Sequence, residues 1–135
     1  MSQVKPYGLG TEVMRSFDAA VESVRAELAK EGFGVLTEID MKATLAKKLG
    51  VEFRPYTIIG ACNPPLAAKA LEADIDIGLL LPCNVVVYTT DEPGRCAVVA
   101  IDPVAQLGIT GNTEIEPLAQ EVRAKLERVL DRLSK

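Results

Sequence analysis

The sequence predicts an α+β fold: a mixed sheet of about five strands packed with helices, in the order β-α-β-α-β-α-β-β-α. Three observations carry this. Short β-branched runs alternate with stretches whose apolar residues recur every three or four positions. Two of those runs, Cys83 to Thr90 and Arg95 to Ile101, are joined by Asp91-Glu92-Pro93-Gly94. That tetrad combines proline's fixed φ with glycine's tolerance of positive φ, so the pair reads as a hairpin. Finally, Ile115, Leu118, Val122, Leu126, Val129, Leu130 and Leu133 hold one apolar stripe, with Arg123/Glu127 and Glu121/Lys125 as i,i+4 pairs opposite it.

Taken in order, Tyr7 to Val13 alternates with a period of two and reads as a strand weakened by Gly8 and Gly10. Ser16 is placed to cap a helix whose apolar face is Phe17, Val21, Val24 and Leu28, and Gly32 supplies a left-handed stop. Gly34 to Ile39 is a second strand. Asp40 then caps a short helix carrying Met41, Leu45 and Leu49, which Gly50 ends. Val51 to Arg54 reads as loop, and Pro55 leads into the buried strand Tyr56 to Ala61. A helix follows, with Asn63 as cap, Pro64 in the first turn and Leu66, Ala67, Ala70 and Leu71 on one face. Ala73 to Gly78 has weak periodicity and reads as an irregular return. Asp102-Pro103 breaks the second hairpin strand, and Gln106 to Asn112 reads as loop with room for one helical turn. The last helix, Glu114 to Ser134, is the longest. It starts either with a capping box over Thr113 to Glu116 or with Glu116 as cap and Pro117 in the first turn.

Composition bounds the function. A chain of 135 residues without repeat or internal linker reads as one domain, 1–135. A net charge of −4 argues against a phosphate-tracking surface, so nucleic acid is not an expected partner. No apolar run has signal-peptide or membrane-span character, which points to the cytoplasm and away from a membrane. Three cysteines do not make a disulfide framework and fit a reducing compartment. The absence of histidine removes His-Cys zinc sites, Ser-His and Cys-His dyads and imidazole acid–base chemistry. No Walker lysine or Gly-x-Gly-x-x-Gly follows a strand, so no cofactor is expected.

The candidate site lies at the centre, in Ala61-Cys62-Asn63-Pro64-Pro65 and Pro82-Cys83-Asn84. Cys62 stands just before a helix N-terminus, whose unpaired N–H groups and positive dipole end favour a thiolate or a bound anion. The competing reading makes it a small buried hydrophobe at a strand end. Asn63 and Cys83 are the polar or polarisable residues expected beside Cys62. Asn84 completes the candidate ligand set, and both asparagines also serve readily as a cap or as satisfiers of loop backbone. A redox pair of Cys62 and Cys83 depends on topology. A right-handed helical crossover makes their strands parallel and places the two thiols at opposite sheet edges, roughly 17–20 Å apart. A disulfide needs Cα atoms within about 7 Å, so only antiparallel strands would bring the two thiols together. A metal site of Cys62, Cys83 and Cys96 meets the same objection and lacks zinc-motif spacing.

Gly32-Phe33-Gly34-Val35-Leu36-Thr37-Glu38-Ile39-Asp40, Ile59-Gly60-Ala61-Cys62-Asn63-Pro64 and Gly78-Leu79-Leu80-Leu81-Pro82-Cys83-Asn84-Val85-Val86-Val87, in this order and spacing, resemble the "domain of unknown function 302" family. The resemblance runs from about Ser16 to Pro103. It implies a compact, dimeric α+β domain and brings no established activity or catalytic residue.

Two function classes remain. One is a small-molecule or anion-binding domain, with room for thiol chemistry, sited at the helix N-terminus after Cys62. The other is a homodimeric interaction module without catalysis, in which the apolar Ile77-Gly78-Leu79-Leu80-Leu81 segment is covered by the partner.

Overall fold

Six strands form one sheet in the computed structural model, which describes all of residues 1–135. They are β1 (Ser2–Lys5), β2 (Gly8–Val13), β3 (Gly34–Asp40), β4 (Tyr56–Cys62), β5 (Cys83–Thr89) and β6 (Cys96–Ile101). Their spatial order is β1-β2-β6-β5-β4-β3, and every neighbouring pair is antiparallel. Five α-helices accompany them: α1 (Phe17–Lys30), α2 (Met41–Leu49), α3 (Pro64–Ala73), α4 (Pro103–Gly108) and α5 (Glu116–Leu133). A 3-10 stretch, Ile75–Leu80, follows α3.

The class is α+β, with six strands rather than about five, and the sheet is antiparallel rather than mixed. The reason lies in α3. It packs against the 3-10 stretch and α5 instead of crossing the sheet, so the chain re-enters at the sheet end it left, with Cys83 opposite Ala61. The extra strand, β1, is four exposed residues without apolar alternation, and it pairs with β2 through a turn at Pro6-Tyr7. The helix α4 was the other element hidden from pattern reading. Asp102-Pro103 ends β6 and also starts a helix, because the Asp102 carboxylate accepts from Val104 N–H at 2.9 Å while Pro103 takes the first turn.

The remaining elements follow their local chemistry. Ser16, Asp40 and Asn63 each accept a hydrogen bond from the third residue on, at the starts of α1, α2 and α3. The hairpin β5–β6 forms with Val85 opposite Ala100 and Val87 opposite Val98. The longest helix is α5. It begins at Glu116 without a side-chain cap, so the capping box does not form, and Pro117 sits in its first turn. Asn112 Oδ1 accepts from Glu114 N–H ahead of it, at 2.8 Å.

The core lies between one face of the sheet and the helices α1 and α5. Leu9, Ile59, Val85, Val87 and Val98 from the strands meet Val24 and Leu28 of α1 and Leu126, Val129 and Leu130 of α5. Each such side chain stabilises the fold by about 1.5–3 kcal/mol through removal from water. A smaller cluster of Ala70, Ile77, Leu107, Ile115 and Ala119 fills the space under α3 and α4. The segment Ile77 to Leu81 therefore already buries Ile77 within the chain, while Leu79 is 87% exposed.

Charges tie α1 to α5. Arg132 donates to Glu27 Oε2 at 2.6 Å and to Glu31 Oε2 at 2.9 Å, Arg128 donates to Glu31 Oε1 at 3.0 Å, and Lys30 donates to Glu27 Oε1 at 2.8 Å. These bonds hold both carboxyl groups below their ordinary pKa. Lys30 is the largest cause for Glu27, ahead of Arg132, and Arg128 is the largest for Glu31. A depressed folded pKa contributes stability that is present above the unfolded value and lost as pH falls through the folded one. The midpoint of thermal unfolding is accordingly expected to fall as pH drops below about 4.5, and Arg132→Gln is expected to make that fall shallower. A series of melts between about pH 2.5 and 6 measures both; equal acid slopes for the two proteins would show that these carboxylates lack the shift.

Candidate functional site

The end of β4, the start of β5 and the first turn of α3 meet around a cavity of ≈ 40 Å³. Phe33, Leu66, Ala67, Leu81 and Pro82 are among its walls, with Leu118 and Val122 of α5 behind them, and 11 of its 13 lining residues are hydrophobic, so its surface offers few polar anchors. Cys62, Asn63 and Cys83 all border it. Asn84 does not. It is exposed, pairs with Gly60 and, being one residue past Cys83 on a strand, faces the other side of the sheet.

Cys62 and Cys83 lie at the same sheet end, because β4 and β5 are antiparallel and Ala61 stands opposite Cys83. The separation by a strand length expected from a right-handed crossover does not occur. Both are free thiols. Cys96 sits at the far end of the hairpin, opposite Thr89 and Val13, where its thiol donates to the Arg15 carbonyl at 3.5 Å.

The thiols are protonated at neutral pH. Burial pushes Cys83 up to about 11, with the neighbouring Cys62 adding to the shift, and burial also raises Cys62 and Cys96. The helix end does not counter this, for a reason visible in the residues themselves. Pro64 and Pro65 carry no N–H, Leu66 N–H is taken by Asn63 Oδ1 at 3.4 Å, and Ala67 N–H by the Asn63 carbonyl at 2.9 Å. No donor of the first turn is free for an anion. Asn63 is itself committed at both ends, since its amide nitrogen also donates to the Glu31 carbonyl, at 3.3 Å, at the end of α1.

A family model described as "Domain of unknown function DUF302" matches residues 9–133. The chain belongs to the DUF302 family. A solved DUF302 structure, the "crystal structure of uncharacterized conserved protein DUF302 from Bacillus stearothermophilus", is similar to it with a TM-score of 0.86 and 28% identity. The match covers 96% of this chain and 99% of that one. No functionally curated protein matches the chain.

Within this DUF302 chain, pattern reading missed Gln106. It stands on α4, donates to the Leu80 carbonyl at 2.5 Å and offers its side-chain oxygen to the Cys83 thiol at 3.9 Å. The Asp-Pro start of α4 was the signal that would have placed it on a helix. No helix of the structure is long and apolar enough to cross a membrane.

Proposed function

We propose that this DUF302 domain binds a small, uncharged, apolar molecule in the cavity bounded by Cys62 and Cys83. The observation that carries the reading is the wall itself: hydrophobic side chains, two protonated thiols and an asparagine whose amide oxygen and nitrogen are each already engaged. A space of ≈ 40 Å³ exceeds the roughly 10–15 Å³ that one water needs, and apolar walls hold apolar guests rather than water. An anion would find no free donor at the helix end, so the ligand class narrows to neutral molecules. The thiols act as soft, polarisable surface, not as nucleophiles, because none of the groups around them is a base.

Native mass spectrometry of untreated protein, together with a crystal held under xenon pressure, tests this. A co-purified neutral guest or a xenon atom between Leu66 and Cys83 is expected, and Ala67→Leu is expected to fill the space and remove either one while the fold persists. An empty cavity in both experiments would overturn the reading. Half-exposed Cys62 is also expected to react with iodoacetamide before buried Cys83 and Cys96, at a rate that climbs with pH up to its raised pKa. Labelling that reached Cys96 first would contradict this.

The second reading, a homodimeric module without catalysis, is supported by the face of the sheet turned away from the core.

A further inference from the structure

Three polar or charged side chains are buried: Thr57, Asn63 and Asp102. Asn63 and Asp102 are hydrogen-bonded within the chain. Thr57, only 8% exposed, is not: its hydroxyl has no partner, an arrangement that costs stability until something reaches it. The residue shares the helix-covered face of β4 with Ile59 and Ala61 of the core. Its oxygen is not sealed among them, however, and borders an open groove of ≈ 490 Å³ between the first half of α1, the end of β3 and the start of β4. That groove is acidic. Asp40 stands directly opposite Thr57, and Glu38, two residues earlier, shares the same face. Asp18, Glu22 and Arg25 follow at helical spacing along α1. Arg25 is the groove's one cation, and Glu38 engages it, with Nη2 donating to Oε1 at 2.7 Å and Nε to both carboxylate oxygens at 3.1 Å. Asp40 keeps one oxygen free, because only Oδ1 caps α2, accepting from Ala43 N–H at 2.9 Å. Asp18 and Glu22 make no ion pair.

We infer that this groove binds an organic polyamine, an alkyl chain carrying two or more ammonium groups. One ammonium sits between Thr57 and Asp40 and donates to the hydroxyl oxygen and to the free carboxylate oxygen. A second, a short methylene chain away, reaches Asp18 and Glu22. An ammonium has donors and no acceptor, so it satisfies Thr57 without bringing an unpaired acceptor of its own. The carboxylates do not gather into a metal-ligand set; they are strung along the groove. Asp18 and Glu22 are about 6 Å apart along the helix axis, and Glu38 and Asp40 about 7 Å apart along the strand. Spaced negative charges suit spaced positive ones better than a single point charge. Phe17 and Val21 form the apolar part of the wall, against which the methylenes lie. The site is independent of the apolar cavity, because Thr57 and Cys62 stand near opposite ends of β4.

Isothermal titration calorimetry of the full chain at low salt, with spermidine, putrescine, butylamine and magnesium chloride as probes, tests this. Spermidine and putrescine are expected to bind saturably and one to one, and butylamine at least about tenfold more weakly, since it meets only one end of the groove. Glu22→Gln is expected to weaken spermidine binding about tenfold, the loss of one charge-assisted hydrogen bond. Thr57→Val is expected to weaken it several-fold and yet leave the melting temperature of the free protein unchanged or higher, because the hydroxyl has no partner there to lose. Glu72→Gln, which alters an exposed carboxylate of α3, is expected to change nothing. If Thr57→Val does not fold by circular dichroism, Glu22→Gln decides, since Glu22 is exposed. Magnesium binding as tightly as spermidine, or equal losses from Glu72→Gln and Glu22→Gln, would reveal a diffuse counter-ion response and overturn the inference. So would the absence of saturable polyamine binding, or binding that Glu22→Gln leaves unchanged.

Discussion

Arg123→Ala is expected to destabilise the protein by about 3–5 kcal/mol, the cost of leaving a buried carboxylate without its partner. That carboxylate is Asp102, only 3% exposed. It receives Arg123 Nη1 at 2.5 Å and Val104 N–H at 2.9 Å, while the Asp102 backbone N–H donates to the Tyr7 carbonyl at 2.8 Å. One residue thus joins the end of β6, the turn before β2, the cap of α4 and the middle of α5. Asp102→Asn keeps a cap and removes the charge, so it is expected to cost less than Arg123→Ala, and adding it to the Arg123→Ala chain is expected to recover part of the loss. Urea unfolding of the four proteins, read as a shift in midpoint at constant slope, measures the cycle. Additive losses in the double variant would mean that the two side chains do not act as a pair.

Gly60→Ala is expected to destabilise by about 1–3 kcal/mol, the usual range for forcing atoms into a filled space. A Cβ at Gly60 would run into the Thr37 hydroxyl oxygen and would stand 2.9 Å from Pro82 Cγ. Glycine is needed there for closeness rather than for backbone angle: β3 on one side and the residue leading into β5 on the other both lean over the middle of β4. Thr37→Ala in the same chain removes one of the two collisions and is expected to return part of the loss. Thermal melts of the single and double variants check this. An unchanged melting point for Gly60→Ala would show that β3 moves aside freely.

What the sequence revealed, it revealed where burial is one-sided and local. The stripes of α1 and α5 and the hairpin β5–β6 are legible because apolar spacing alone sets which face turns inward. The meeting of Cys62 and Cys83 was not legible, because strand direction depends on where α3 packs, and its partners, the 3-10 stretch and α5, come later in the chain. The anion reading loses its support on a different point. Pro64 and Pro65 are good residues for opening a helix, and for the same reason they take away the N–H groups that an anion would need. The consecutive valines at 85–87 and 98–99 make β5 and β6 apolar on both faces, a feature that a hairpin reading does not use.

The pairing of β2 with β6 has a consequence for how the molecule comes into being. Gly8 pairs with Ile101 and Val13 with Cys96, so the second strand of the chain has its main neighbour near the far end of the sequence. During synthesis β1 and β2 can make only their own hairpin, and an isolated hairpin is at best marginally stable in water. Strands β3 to β6 each find a sheet neighbour next in chain order. This connectivity favours a sheet that grows from β3 to β6, with β2 added once β6 is in place to receive it.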